Sequence, residues 1–255
     1  MSIQQYIGYD NTVTISNVSA DSEQTKYPAT NLANPATNSL WKSDSTSAQY
    51  VTIDIDAVQH CDYIGIAGHN LGGASCAVTI EGQTTDGGVW SSIVSEFSPA
   101  NDRPILKTFT SDDYYSIRIK ITPGGTTKPQ IAVVYAGKIM QMQRNIYVGH
   151  TPIPYARTVN AVSRLSESGQ FLGRVIKATT YKSRVKIDHM TKDWYRSTFD
   201  AFVQASKTKP FFYAWRLTDY ATEIGYCWVT GNVPVPDNTG PSGMMGVSFD
   251  ISGLA

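Results

Sequence analysis

QYVTIDIDAVQHCDYIGIAGHN, residues 49–70, alternates apolar and polar residues on both sides of a short polar insert. In an extended chain Val51, Ile53 and Ile55 face one way, and Tyr50, Thr52, Asp54 and Asp56 face the other. Ile64 and Ile66 repeat the pattern in the next run. The period is that of a half-buried strand, so the stretch reads as two strands of an antiparallel sandwich with these five aliphatic residues in its core. It also carries His60, Cys61, Asp62 and His69, residue types that ligate metals or move protons. An extended run over 62–67 at ~3.3 Å per residue holds the two histidines roughly 20–30 Å apart, too far to share one ion. His150 and His189 are remote in sequence, and no closely spaced ligand pairs of the kind a structural zinc site uses are present. No metal and no cofactor are expected, and the polar residues read as strand-end decoration.

The runs around this stretch behave alike. NTVTISNV, CAVTIEGQT, YYSIRIKIT and QIAVVYAGKIM are short alternating segments separated by Gly, Pro, Asn and Asp. That spacing favours an antiparallel sandwich over a parallel sheet with crossover helices. Residues 141–156 break the pattern with prolines and a glycine and read as a connection, which divides the chain into a β-sandwich over 1–145 and a second domain over 146–255. The second domain opens with a long hairpin turning at Glu167 to Gln170. Neither of its faces is clearly apolar, so its register is weakly specified within one chain and would gain from a neighbouring subunit. Then TKDWYRSTFDAFVQASKTKP places Tyr195, Phe199, Phe202 and Val203 on one helical face, which predicts a helix over 192–206 with Thr191 at its start. PFFYAWRL, IGYCWVTG and MMGVSFDISG close the chain as strands. The fold class is therefore mainly β, a sandwich followed by an α+β domain ordered β-β-α-β-β-β.

Composition narrows the function classes. Charged residues make up 16% of the 255-residue chain, against ~25% in an average domain. The 21 Lys and Arg balance the 21 Asp and Glu, so no field gathers nucleic acid or anionic lipid, and neither sequence-specific nucleic-acid binding nor a membrane partner is expected. Three cysteines without close spacing do not make a disulfide framework and suit a reducing compartment. The N-terminal MSIQQYIGYDN has neither a basic nor an apolar leader region, so cytoplasmic synthesis and assembly are expected. Catalysis is not expected. GHNLGG at 68–73 lacks the Lys-Ser/Thr of a phosphate loop and reads as a turn, no GxSxG occurs, and Asp54 and Asp56 are alternating acids on a wet strand face.

The order YPATNLANPATNSLWKSD, AQYVTIDIDAVQHCDYIGIAGHNL, CAVTIEGQTTDGGVWSSI resembles the discoidin, or galactose-binding-like, domain over about residues 27–140. The matching features are Asn31-Leu32, Trp41, the VTIDID and DYIGIAG strands, and the Gly-Gly-x-Trp turn ending at Trp90. Residues 157–255, with the hairpin turning at ESGQ, the helix and the strands PFFYAWRL and GVSFDISG, resemble the tail-tube-type belt domain of phage distal tail proteins. Together the resemblances imply a structural virion component assembled in the host cytoplasm. They imply a ring of copies, hexameric or trimeric, that joins the tail tube protein to tail hub or tip proteins at a baseplate. A neighbouring subunit would then cover Arg164, Ser166, Glu167, Gln170 and Phe171 of the hairpin, and Phe211, Tyr213 and Trp215 of the next strand. The alternative is a carbohydrate-binding module contacting host surface glycans, with Trp41, Trp90, Tyr114 and Tyr115 as the stacking platform.

Overall fold

The computed structural model describes residues 5–56, 60–146, 148–240 and 243–255; Tyr147, within the expected connection, lies outside them. Strand β1 (Tyr6–Gly8) precedes β2 (Val18–Ala20), β3 (Trp41–Lys42), β4 (Gln49–Asp54), β5 (Cys61–Ala67), β6 (Ala77–Gln83) and β7 (Ser91–Phe97). These are followed by β8 (Ile105–Asp112), β9 (Ser116–Thr122), β10 (Gln130–Ile131), β11 (Val133–Gly137) and β12 (Met140–Gln141). The second half adds β13 (Arg157–Leu165), β14 (Phe171–Met190), a helical stretch, β15 (Phe211–Ala214), β16 (Ile224–Asn238) and β17 (Met245–Leu254). The molecule is mainly β, as its alternating runs predict.

The strands form layers. An outer sheet of five strands runs β2-β4-β9-β6-β7, and a middle sheet of three runs β11-β5-β8. Val51, Ile53, Ile55, Ile64 and Ile66 share one buried core between them, with Val78 and Ile80 of β6 and Ile117, Ile119 and Ile121 of β9. Each aliphatic side chain buried this way contributes ~1.5–3 kcal/mol. The middle sheet is buried on both faces: Tyr63 and Ala67 of β5 point away from that core and pack against Phe212, Ala214, Ile224 and Tyr226 of a third, basal sheet. Gly65 makes this approach possible, because a Cβ there would stand 2.5 Å from the Phe212 ring.

The basal sheet has seven strands in the order β12-β1-β15-β16-β17-β14-β13. Its interior strand β15, between β1 and β16, has the sequence FFYA and is buried at every position. Phe212 and Ala214 meet the middle sheet, while Phe211 and Tyr213 lie in the core beneath the helix. The expectation that a neighbouring subunit covers Phe211 and Tyr213 is thereby corrected, since this chain's own helix and strands bury them. Trp215 is half-buried, with Nε1 donating to Glu223 Oε2 at 2.7 Å and its ring stacked on Tyr220. Two strands on the N-terminal side of residue 145 also belong to the basal sheet. Tyr6 pairs with Ala214, and Ile7 pairs with both Tyr213 and Met140. Strand β1 therefore lies in the basal sheet, the sandwich follows it, and the chain returns with β12.

The helical stretch occupies the predicted span as α1 (Lys192–Trp194), a π turn (Tyr195–Phe199) and α2 (Asp200–Ser206). Tyr195, Phe199, Phe202 and Val203 are buried as their spacing requires, and the Phe202 ring meets Phe211 edge-on at 4.9 Å. Thr191 makes no side-chain cap; its hydroxyl accepts from Gln143 Nε2 at 2.9 Å and its N–H donates to Gln143 Oε1 at 2.7 Å. Gln143 thus ties the returning chain to the helix start.

Beyond the sheet, β13 and β14 run on as an arm. Tyr181 to Met190 of β14 pair with β17, whereas Phe171 to Ala178 and onward to Thr180 pair only with β13. At ~3.3 Å per residue this free portion projects about 30 Å. Its turn is the predicted one, with Ser166 N–H donating to Gln170 O at 2.8 Å and Gly169 N–H to Ser166 O at 2.9 Å, and Gly169 takes a positive φ of 80°. Arg164, Glu167, Gln170 and Phe171 are exposed and Ser166 is partly so.

Candidate functional site

The inward isoleucines of β9 leave Arg118 and Lys120 on the solvent side of the outer sheet. Tyr50 and Thr52 of β4 and Thr79 and Glu81 of β6 share that face, because the register sets Thr52 opposite Arg118 and Arg118 opposite Glu81. Trp90 enters from the turn before β7. The Arg118 guanidinium carbon lies 4.2 Å from the Tyr50 ring centroid and 4.2 Å from that of Trp90, and Nε donates to Glu81 Oε2 at 2.6 Å. The side chains of Arg118 and Glu81 retain 22% and 16% of their accessible surface, so the pair is screened less than a fully exposed one. Each cation–π contact adds ~0.5–1 kcal/mol at such a site. The result is an ordered cluster in which aromatic surface, N–H donors and a carboxylate stand together at the sandwich surface.

The four aromatic residues expected to stack on glycans fall into two groups. Trp41 is fully buried and donates from Nε1 to Ser22 O at 2.9 Å, and Tyr114 is buried with its hydroxyl donating to Thr110 O at 3.0 Å. Neither presents a ring face to a ligand, which corrects that expectation: both close the sandwich core. Trp90 and Tyr115 are partly exposed. The charge of Asp86, followed by partial desolvation and the charge of Asp56, raises the Tyr115 phenol above its ordinary pKa. The cluster around Arg118 brings in Tyr50 and Glu81 instead. The alternation of YVTID places Tyr50 on the wet face, but its pairing across β9 to β6 requires the strand order.

The other reactive residue types are dispersed. His60 Nδ1 lies 2.9 Å from Asp113 Oδ1 at the surface. His69, beyond β5, accepts from Leu71 N–H at Nδ1, which places the proton on Nε2, where it donates to Arg103 O at 2.8 Å. Burial lowers its pKa. The thiols are buried and free. Burial and then the charge of Asp10 push Cys61 up to about 12, and burial and then Asp102 push Cys76 up to about 11, so neither is a thiolate near neutrality. Among the described residues, no group of three or more His, Cys, Asp or Glu side chains is placed to hold a metal ion.

No family model and no curated protein matches the sequence. Solved structures do match. One is chitosan-binding module 1 of a chitosanase/glucanase from Paenibacillus sp. IK-5, at 15% identity over 50% of this chain and 98% of that one, with a TM-score of 0.45. Another is the family 32 carbohydrate-binding module of Clostridium perfringens NanJ in complex with galactose, at 20% identity over 51% of this chain and 98% of that one, with a TM-score of 0.43. A third is a C. perfringens module in complex with GalNAc-β-1,3-galactose, at 14% identity over 48% of this chain and 94% of that one, with a TM-score of 0.42. These neighbours are carbohydrate-binding modules.

Proposed function

We propose that the protein is a non-catalytic carbohydrate-binding protein whose ligand face is the outer sheet around Tyr50, Trp90, Arg118 and Glu81. The observation that carries this reading is the Arg118 guanidinium set 4.2 Å from each of the two rings and held by Glu81. Pyranose rings offer apolar C–H faces and hydroxyl edges, and a few polar groups fixed beside aromatic surface are what recognises them. The second oxygen of Glu81 and the terminal guanidinium nitrogens supply acceptor and donors. A glycan array followed by titration of the best hit tests the idea. Trp90→Ala is expected to weaken binding roughly tenfold or more, and an array without signal, or affinity unchanged in Trp90→Ala and Tyr50→Ala, counts against it.

A second reading, a structural subunit of a phage tail tip that assembles as a ring, is favoured by the arm. Leu165, Phe171, Leu172, Val175 and Ile176 on it are each at least 60% exposed. A two-stranded arm alone is marginally stable in water, and exposed apolar side chains in this number mark a contact surface. Native mass measurement of the assembly tests this reading: a ring of copies supports it, and a strict monomer at all concentrations sinks it.

A further inference from the structure

Where the loop between β7 and β8 meets the loop before β16, a cleft of about 190 Å³ opens between the sandwich and the basal sheet. That is smaller than the ~300 Å³ at which pockets for drug-sized ligands begin, and it suits one ring-sized molecule. Phe97, Pro99, Pro104 and Ile105 give it an apolar wall, and Ala221 and Thr222 close the opposite side. Two residues that carry cationic side chains, Arg103 and Lys107, are part of the lining, and among the described residues no Asp or Glu is. The Lys107 amine sits 4.4 Å from the centre of the Phe97 ring, and half-burial lowers its pKa. Of the acids adjoining the lining in sequence, Asp102 accepts from Gly73 N–H at Oδ1 at 2.8 Å and Glu223 accepts from Trp215 Nε1 at 2.7 Å.

The loop is also held in place before any ligand arrives. His69 Nε2 donates to the Arg103 carbonyl, Asn101 Oδ1 accepts from Arg103 N–H at 3.0 Å, and Gly72 packs so closely that a Cβ there would stand 2.4 Å from the Asn101 backbone. Cationic residues on a fixed frame beside apolar surface, with no carboxylate in the lining, are the arrangement that recognises an anion attached to a compact body.

We propose that this cleft binds a small carboxylate carried on a six-membered ring, with the carboxylate between Arg103 and Lys107 and the ring against Phe97, Pro99 and Pro104. The site is separate from the outer-sheet cluster, so each stands or falls by its own variants. The test is NMR titration of the full-length protein with glucuronate and with benzoate, with galactose and inorganic phosphate as controls. The expected result is saturable shifts confined to residues 97–107 and 221–222 with at least one of the two carboxylates; which one responds tells whether the ring is hydroxylated or apolar. Galactose and phosphate are expected to give none at those residues. Arg103→Gln with Lys107→Gln should weaken binding roughly tenfold or more, as loss of charge-assisted contacts does. Thr222→Trp, which fills the cleft without altering its charge, should abolish binding, and Trp90→Ala should leave it unchanged. Absence of saturation with both carboxylates, equal binding of phosphate, or affinity untouched by Thr222→Trp overturns the proposal.

Discussion

Phe212 is the residue through which the sandwich and the basal sheet grip each other, and removing it has a calculable cost. Its side chain is fully buried, with ring centroids 5.5 Å from Tyr135 and 5.0 Å from Tyr226. Phe212→Ala deletes that ring from a site bounded by two sheets that cannot collapse freely, so a loss of about 4 kcal/mol is expected, within the range for Phe→Ala in cores. Gly65→Ala perturbs the same spot from the other side. Its methyl would stand 2.5 Å from Phe212 Cε2, an overpacking worth about 2 kcal/mol. Independent effects would sum to about 6 kcal/mol in the double variant. Here the new methyl instead enters space that the ring has vacated, so the double variant should lose only about 3–4 kcal/mol. Urea unfolding of all four proteins, with matched m-values, measures the cycle. Strict additivity, or a Phe212→Ala loss under about 1 kcal/mol, would refute the account of how the layers are joined.

Other outcomes follow from the same geometry. Trp90→Ala is expected to cost no more than about 1 kcal/mol of stability by thermal unfolding, because it removes one cation–π contact at a partly exposed site. Burial lowers the pKa of both His69 and His150. Above the unfolded value of about 6.5 both are neutral in either state and their stabilisation is complete; as pH falls below it the unfolded chain takes up protons first, so stability declines. Unfolding followed from about pH 7.5 down to about pH 5.5 should show this decline, and His69→Gln should flatten it. Phe171→Ser with Leu172→Ser should change monomer stability by under about 0.5 kcal/mol in chemical denaturation, and the ring reading adds that it reduces self-association in sedimentation. Iodoacetamide should label Cys61, Cys76 and Cys227 only on unfolding, since all three are buried and burial raises their pKa values; rapid labelling of the native protein contradicts their placement.

Much of the fold is legible in single strands. The alternation of Val51, Ile53 and Ile55 gives the sandwich core and the spacing of Tyr195, Phe199, Phe202 and Val203 gives the helix, whereas the apolar bulk of FFYA on both faces fits a central strand as well as an edge covered by another chain. Relations between strands are not legible, because one sequence carries no register across a sheet. Trp41 and Tyr114 look the same as Trp90 in a string of letters, and only the packing shows that two are plugs and one reaches solvent. Arg118 meets Tyr50, Glu81 and Trp90 because β9 runs between β4 and β6, which no local spacing reveals. The three residues of β1 are too few to announce that they pair with a strand more than two hundred positions away, at Ala214.

That last pairing constrains the order of events as the chain leaves the ribosome. Every strand of the outer and middle sheets lies between residues 18 and 137, so the sandwich can close while the remainder is still being made. Strand β1 can pair with β12 once residue 141 is made, but its second partner β15 is complete only at residue 214, and pairings this distant carry a loop-closure cost. For that interval the side of β1 that faces β15 is an unpaired edge. Docking beside β15 makes β1 one of the last strands to complete its pairing.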